Sequence, residues 1–377
     1  MQGLYKPGVF NISLLTFPYW TADQDLLFAA NIKGGTMEID MHYGAIYYLA
    51  SLAGIDFEEA RKIAWSSQFV DDANYGGSVQ FEGGEGYICT NSAHRHLSDN
   101  LSAQARLVWV PFHFVPDPNT QAPFLRRLEC VKDSELVNAS VVEALNETDP
   151  QIRPYRFGVA LHAYADSWSH YGFSGIPSDT NLVRNVKTLN IDQSLWEKSM
   201  AWVATHALNK GRMNPIGHLY AASCPDLPYL EWEYTDHKTG SPVRVRNNHE
   251  DFSNAVNKIY TYMLKYKGEP YDSSIPAENV SRIDQLINLQ QDSGEKRLEQ
   301  WAESYYKTFG LRMPSYKHKA WITDAFSEAW EDDVCLTISG ESHNSFRQKD
   351  FWKFSEGLKK HLTFIVTELS NRGLTLM

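Results

Sequence analysis

Residues 153–173, RPYRFGVALHAYADSWSHYGF, constrain the fold more than any other stretch of the chain. Their apolar residues recur at helical spacing, and the polar exceptions are His, Asp and Ser. A helix of this composition is buried, so other elements must pack around it. Within it, His162, Asp166 and His170 stand at i, i+4 and i+8. Neighbours in that series share a face about 6 Å apart along the axis, and the two histidines are about 12 Å apart. That span is awkward for one zinc ion with bonds of about 2 Å. Two metals that share the Asp166 carboxylate resolve it, because paired hydrolytic metals lie about 3.5–4 Å apart. The competing reading is a set of hydrogen-bonded structural histidines. Burying three such groups without compensation is costly, which favours the metal.

The rest of the chain offers further ligands. Asp40 and His42 stand at the mouth of an apolar helix in MEIDMHYGAIYYLA, and SQFVDDAN ends a helix on Asp71 and Asp72. Acids at a helix C-terminus oppose the helix dipole, so these two are placed against local preference. WVPFHF presents His113, NSAHRHLSDN presents His94 and His96 from a loop, and PIGHLYAASCPDLP presents His218 followed by Asp226. Histidines and carboxylates suit zinc, with iron or manganese as alternatives. Each also has a bland reading: a solvated helix end for the acids, a core histidine for His113. The late histidines His237, His249, His318, His343 and His361 lie in polar surroundings and are expected at the surface.

Around this helix the pattern is mainly α. A helix in MHYGAIYYLASLAG stops at Gly54, and a second, DFEEARKIAWSSQFV, has Asp56 as its N-cap with Glu58 and Glu59 in its first turn. Residues 73–100 are Gly-rich, a loop with at most a short hairpin. ARLVWVPFHFV has the β-branched and aromatic content of a strand, demoted to an edge or connector by Pro111. Residues 173–192 read as loop, 193–210 as helix, and a short helix fits between the prolines near 215–228. Further helices are expected near 250–266, 279–308, 318–332 and 349–371. The expected organisation is an N-terminal extension over 1–36, a metal-binding helical core over 37–240 and a helical region over 241–377 packed on that core.

A formal charge of −11 argues against a nucleic-acid partner. The four cysteines show no CxxC pairing and read as free thiols in a reducing compartment. The first residues lack a secretory signal, and no stretch is apolar enough to span a bilayer, so a cytoplasmic protein is the default. No nucleophile elbow, P-loop or dinucleotide fingerprint occurs.

DMHYGAIYYLASLAG, EEARKIAWSSQFVDDAN, VWVPFHF, RFGVALHAYADSWSHYGFSG and GHLYAASCPDLPYLEW together resemble a family of uncharacterised bacterial proteins, over roughly residues 37–235. More distantly they resemble the zinc-dependent phospholipase C and single-strand nuclease superfamily. That likeness implies an all-α fold holding two or three zinc ions. His162 and Asp166 would be the central pair, with Asp166 bridging, and His42 a ligand of a second metal. Asp71 or Asp72 would be ligand and general base, and His170, His218 and Asp226 would hold the remaining metal. The superfamily's mature N-terminal amine is a ligand, a place Asp40 could take here.

The implied activity is metal-dependent phosphoester hydrolysis, phospholipase C-like, on a small-molecule or phospholipid substrate with transient membrane contact. Tyr43, Trp168, Tyr171 and Phe173 could pack on lipid or on a quaternary ammonium head group, or simply be core. The alternatives are a nuclease or nucleotidase, a di-iron oxygenase of the histidine–aspartate type, or a non-enzymatic interaction protein.

Overall fold

The computed structural model describes residues 39–74, 77–93, 105–118, 121–191, 215–236, 240–270, 274–291, 293–326, 336–338 and 342–376. The chain divides into Met1–Gly34 and Gly35–Met377, and every described residue lies in the second unit. His94, His96 and the helix expected over 193–210 fall outside the described residues.

The fold is mainly α with two small sheets. A π-helical turn, Asp40–Ala45, runs into α1 (Ile46–Leu52). Then come α2 (Phe57–Asp72), the hairpin β1 (Ser78–Phe81) and β2 (Gly86–Ile88), and α3 (Ala105–Phe112). Next are α4 (Glu135–Leu145), α5 (Arg153–His170), β3 (Val183–Thr188), β4 (Glu231–Asp236) and β5 (Val243–Asn247). The remainder is helical apart from β6 (Leu336–Ile338): α6 (Asn248–Lys267), α7 (Ala277–Ile287), α8 (Gly294–Phe309), α9 (Ala320–Phe326), α10 (His343–Phe346) and α11 (Asp350–Asn371). No helix among the described residues is long and apolar enough to cross a membrane.

Helix α5 is the hub. Every residue from Pro154 to His170 is buried, and α2, α3, α4, α6 and α11 all pack on it. The tightest crossing is with α2, where Gly158 lets the backbones meet. A Cβ at Gly158 would collide with the Ile63 carbonyl oxygen and stand 2.7 Å from the Ser66 Cβ. Helix α2 begins as its sequence dictates, with the Asp56 carboxylate accepting from the backbone N–H of Glu58 and Glu59.

One sheet has the order β2-β1-β6, antiparallel then parallel. The other, β3-β4-β5, is antiparallel throughout, with a register shift between Arg184 and Lys187. The second sheet covers a separate small core that includes Phe114, Phe173, Cys224 and Trp232.

Four local expectations need correction. The stretch expected as a strand is helix α3, with Pro111 in its last turn, because packing against α5 and α11 overrides β propensity. His361, expected at the surface, is 2 % exposed and donates from Nε2 to the Pro111 carbonyl (2.9 Å). Residues 183–188, read as loop, form β3. The single helix over 279–308 is two, because Asn288 ends α7 and Ser293 caps α8 by accepting from the Lys296 N–H.

Candidate metal centre

The α2–α5 crossing sets up the first donor group. Ser67 and Asp71 lie one turn apart on α2, facing α5. His162 donates from Nδ1 to the Ser67 carbonyl (2.8 Å), which leaves Nε2 as an acceptor. His113, just beyond α3, donates from Nε2 to the Ser92 carbonyl (2.8 Å), which leaves Nδ1 as an acceptor. A neutral imidazole carries one N–H, so neither remaining nitrogen can donate to the other. Yet they stand 3.1 Å apart, with Asp166 Oδ2 at 3.0 Å from His113 Nδ1 and 3.2 Å from His162 Nε2.

Three lone pairs converge here, and the group they form could hold a metal ion. A tetrahedral ion with bonds of about 2.0 Å has ligand–ligand edges of about 3.3 Å, close to this triangle. Asp71 Oδ1, 3.6 Å from His162 Nε2 and 3.9 Å from His113 Nδ1, stands near a fourth corner. A proton on His162 is opposed by its surroundings. Burial, then the neighbouring His42, holds His162 down to about 3. Burial pushes the Asp166 carboxyl up, but His170 and His162 outweigh it and hold the group well below the usual carboxylate range.

His42 adds to this group from the π-helical turn. Its ring stacks on His162 at 3.9 Å, and its Nε2 lies 3.1 Å from Asp166 Oδ1. His42, Asp71 and His162 form a second set of donors close enough to share an ion. The Asp166 carboxylate turns Oδ2 toward His113 and His162 and Oδ1 toward His42, while the two donor sets have His162 in common.

The sharing inferred from helix spacing differs from this. His170 turns Nδ1 toward Asp166 (3.5 Å), and that nitrogen donates to the His113 carbonyl (2.9 Å). Its free nitrogen, Nε2, points away and meets Asp226 Oδ1 at 3.1 Å. His218 donates from Nδ1 to the Ala222 carbonyl (2.8 Å) and places Nε2 3.4 Å from Asp226 Oδ2. His170, His218 and Asp226 are thus a separate group, walled by Phe114 stacked on His170 at 4.6 Å. Burial opposes a charge on His170, but Asp166 and then Asp226 outweigh it and raise the group to about 9. A proton can satisfy this second group, as a metal can.

Two candidate ligands are engaged elsewhere. Both oxygens of Asp40 accept from Arg297, at 2.8 and 3.1 Å, in an ion pair with no exposed surface. Asp72 Oδ2 accepts from the Tyr316 hydroxyl (2.7 Å), and Asp72 joins none of the donor sets. The aromatics do not gather as one wall. Tyr43 is buried against Trp65 and Tyr316 with its hydroxyl on the Pro314 carbonyl, and Phe173 lies in the second core. Tyr171 lies under the Arg246 guanidinium at 3.6 Å.

Four histidines thus have one nitrogen fixed by a backbone carbonyl, the arrangement that orients metal-bound imidazoles. Sequence reasoning could not find the carbonyls of Ser67, Ser92, His113 and Ala222, because a main-chain oxygen has no side-chain signature. Arg297 was equally hidden, 257 residues from Asp40.

Residues 37–369 match a family of unknown function, DUF6765. The chain belongs to this family. No curated protein and no solved structure matches the chain. The DUF6765 match spans every donor described above.

Proposed function

We propose that the chain is a metal-dependent hydrolase of phosphoesters, phospholipase C-like, working at the His42–Asp71–His113–His162–Asp166 centre. The observation that supports it is the triangle of acceptors on His113, His162 and Asp166, with the opposite nitrogen of each imidazole already bonded. The mixed nitrogen and oxygen donors suit zinc, with iron or manganese as the alternatives. Bound there, zinc supplies a Lewis acid for a phosphoryl oxygen and lowers the pKa of water.

The chain's own residues divide the remaining work. Asp166 supplies the negative charge opposite His113 and His162, and its other oxygen faces His42, so it would hold an ion in the first donor set. Asp71, whose side chain keeps 6 % exposure, is the ligand nearest solvent and the residue best placed to accept a proton from water. Asp72 orients the end of α2 through Tyr316 instead of serving as base. His42 stacks on His162 and fixes the second carboxylate oxygen.

A second reading keeps the ion and makes it structural. Its support is burial, since His42, His113, His162 and Asp166 expose at most 1 %. Elemental analysis of protein purified without chelator, followed by turnover of phosphatidylcholine, nucleotides and single-stranded DNA, separates the two. Zinc-restored turnover of a phosphoester supports the hydrolase. Bound metal that raises the melting temperature, with no turnover on any substrate, supports the structural ion. Less than about one metal per chain with no response to zinc removes both.

A further inference from the structure

Helix α8 grips the π-helical turn that carries His42 at two places. The Arg297 guanidinium donates from Nε and Nη2 to the two oxygens of Asp40, while its Nη1 donates to the Gln291 carbonyl (2.6 Å). One turn on, Trp301 and Leu298 press against Gly44 so closely that a Cβ there would stand 3.0 Å from Leu298 Cδ1 and 3.2 Å from the Trp301 Cβ. Arg297, Trp301, Asp40 and His42 have no exposed surface.

A buried ion pair is a poor source of stability, because apolar residues of similar volume are often as good or better. What the pair supplies is geometry, since a planar guanidinium fork accepts a carboxylate in one orientation. The turn it holds is not a resting state of an ordinary helix. Single π turns are rare and gather at functional positions. Relaxation to an α turn tightens the winding and rotates His42, which lies inside the turn, by some tens of degrees relative to α1. That rotation would take Nε2 away from Asp166 and the ring off His162.

We infer that Arg297 is a positioning residue for His42, holding the Asp40–Ala45 turn in the one phase that presents His42 to Asp166. The functional meaning rests on the metal reading, but the geometry does not.

The test uses the full chain with three changes: Arg297→Met/Asp40→Leu, Arg297→Lys and His42→Gln. The double variant removes both charges together, so no unpaired charge is left buried, and its melting temperature is recorded alongside to check the fold. The first readout needs no metal: the solvent-shielded imidazole N–H proton resonance of His42, assigned by its loss in His42→Gln. It is expected to vanish or move in the double variant and to survive in part in Arg297→Lys. The second readout is cobalt(II) binding followed by its visible spectrum. The double variant is expected to match His42→Gln, with affinity lowered about 10- to 100-fold. A double variant that keeps the His42 resonance and the wild-type cobalt spectrum overturns the inference. Wild-type protein that takes up no cobalt overturns the metal reading, while the resonance still decides the role of Arg297.

Discussion

Replacing Gly158 by alanine tests how the centre is built, because two known effects oppose each other there. On propensity alone, Gly→Ala inside a helix stabilises by about 1 kcal/mol. At this position, however, the new Cβ would collide with the Ile63 carbonyl, stand 2.7 Å from Ser66 Cβ and 3.1 Å from the Ser67 nitrogen. Two of those three atoms are backbone on α2, so no rotamer change relieves the clash and the helices must separate. Overpacking of this kind costs about 1–3 kcal/mol, and a backbone obstacle puts it near the upper end. The expected net loss is about 2 kcal/mol. The separation also stretches the 2.8 Å bond from His162 Nδ1 to Ser67 and moves Asp71, on the same helix, from its place beside His162. Denaturant unfolding should show a lower midpoint at unchanged slope, and cobalt affinity should fall in the same variant. A variant as stable as wild type, with full cobalt affinity, would refute the claim that this crossing sets the donor geometry.

Asp166→Asn removes the carboxylate charge beside His113 and His162 and should lower metal affinity at least about 10-fold, read by elemental analysis after dialysis. His361 is held at about 4 against its usual 6.5, chiefly by burial, so the folded protein keeps it neutral. The unfolded chain takes up that proton first as pH falls. Stability is therefore lost from about pH 6.5 down to about pH 4, by about 3 kcal/mol in all. His361→Gln should flatten that part of the stability–pH curve, and an unchanged curve would count against the assignment. Burial pushes Cys89 up to about 12 and raises Cys130 and Cys224 further. These three thiols should resist a thiol reagent in native protein and react once it is unfolded, as mass spectrometry would show; labelling of the native fold would be the contrary result.

The sequence by itself determined that α5 is a buried helix with His162, Asp166 and His170 on it, because apolar periodicity and four-residue spacing are properties of one segment. It also singled out Asp71, His113, His42, His218 and Asp226 as candidate donors by residue type, and the structure places each in a group that could hold an ion. The Asp56 cap and the α character of the C-terminal third were legible for the same local reasons. What one segment cannot encode is the choice of imidazole nitrogen. That choice is made by carbonyls from other segments, such as Ser67 for His162 and His113 for His170, and it turns the free nitrogen of His170 away from the His113–His162–Asp166 group. Asp40 shows the same limit. Its place two residues before His42 fits a ligand, yet Arg297, 257 residues away, takes both its oxygens. Helix spacing fixes which side chains share a face. Only the packed structure decides where each lone pair points, because a hydrogen bond is directional and its partner here comes from a distant part of the chain.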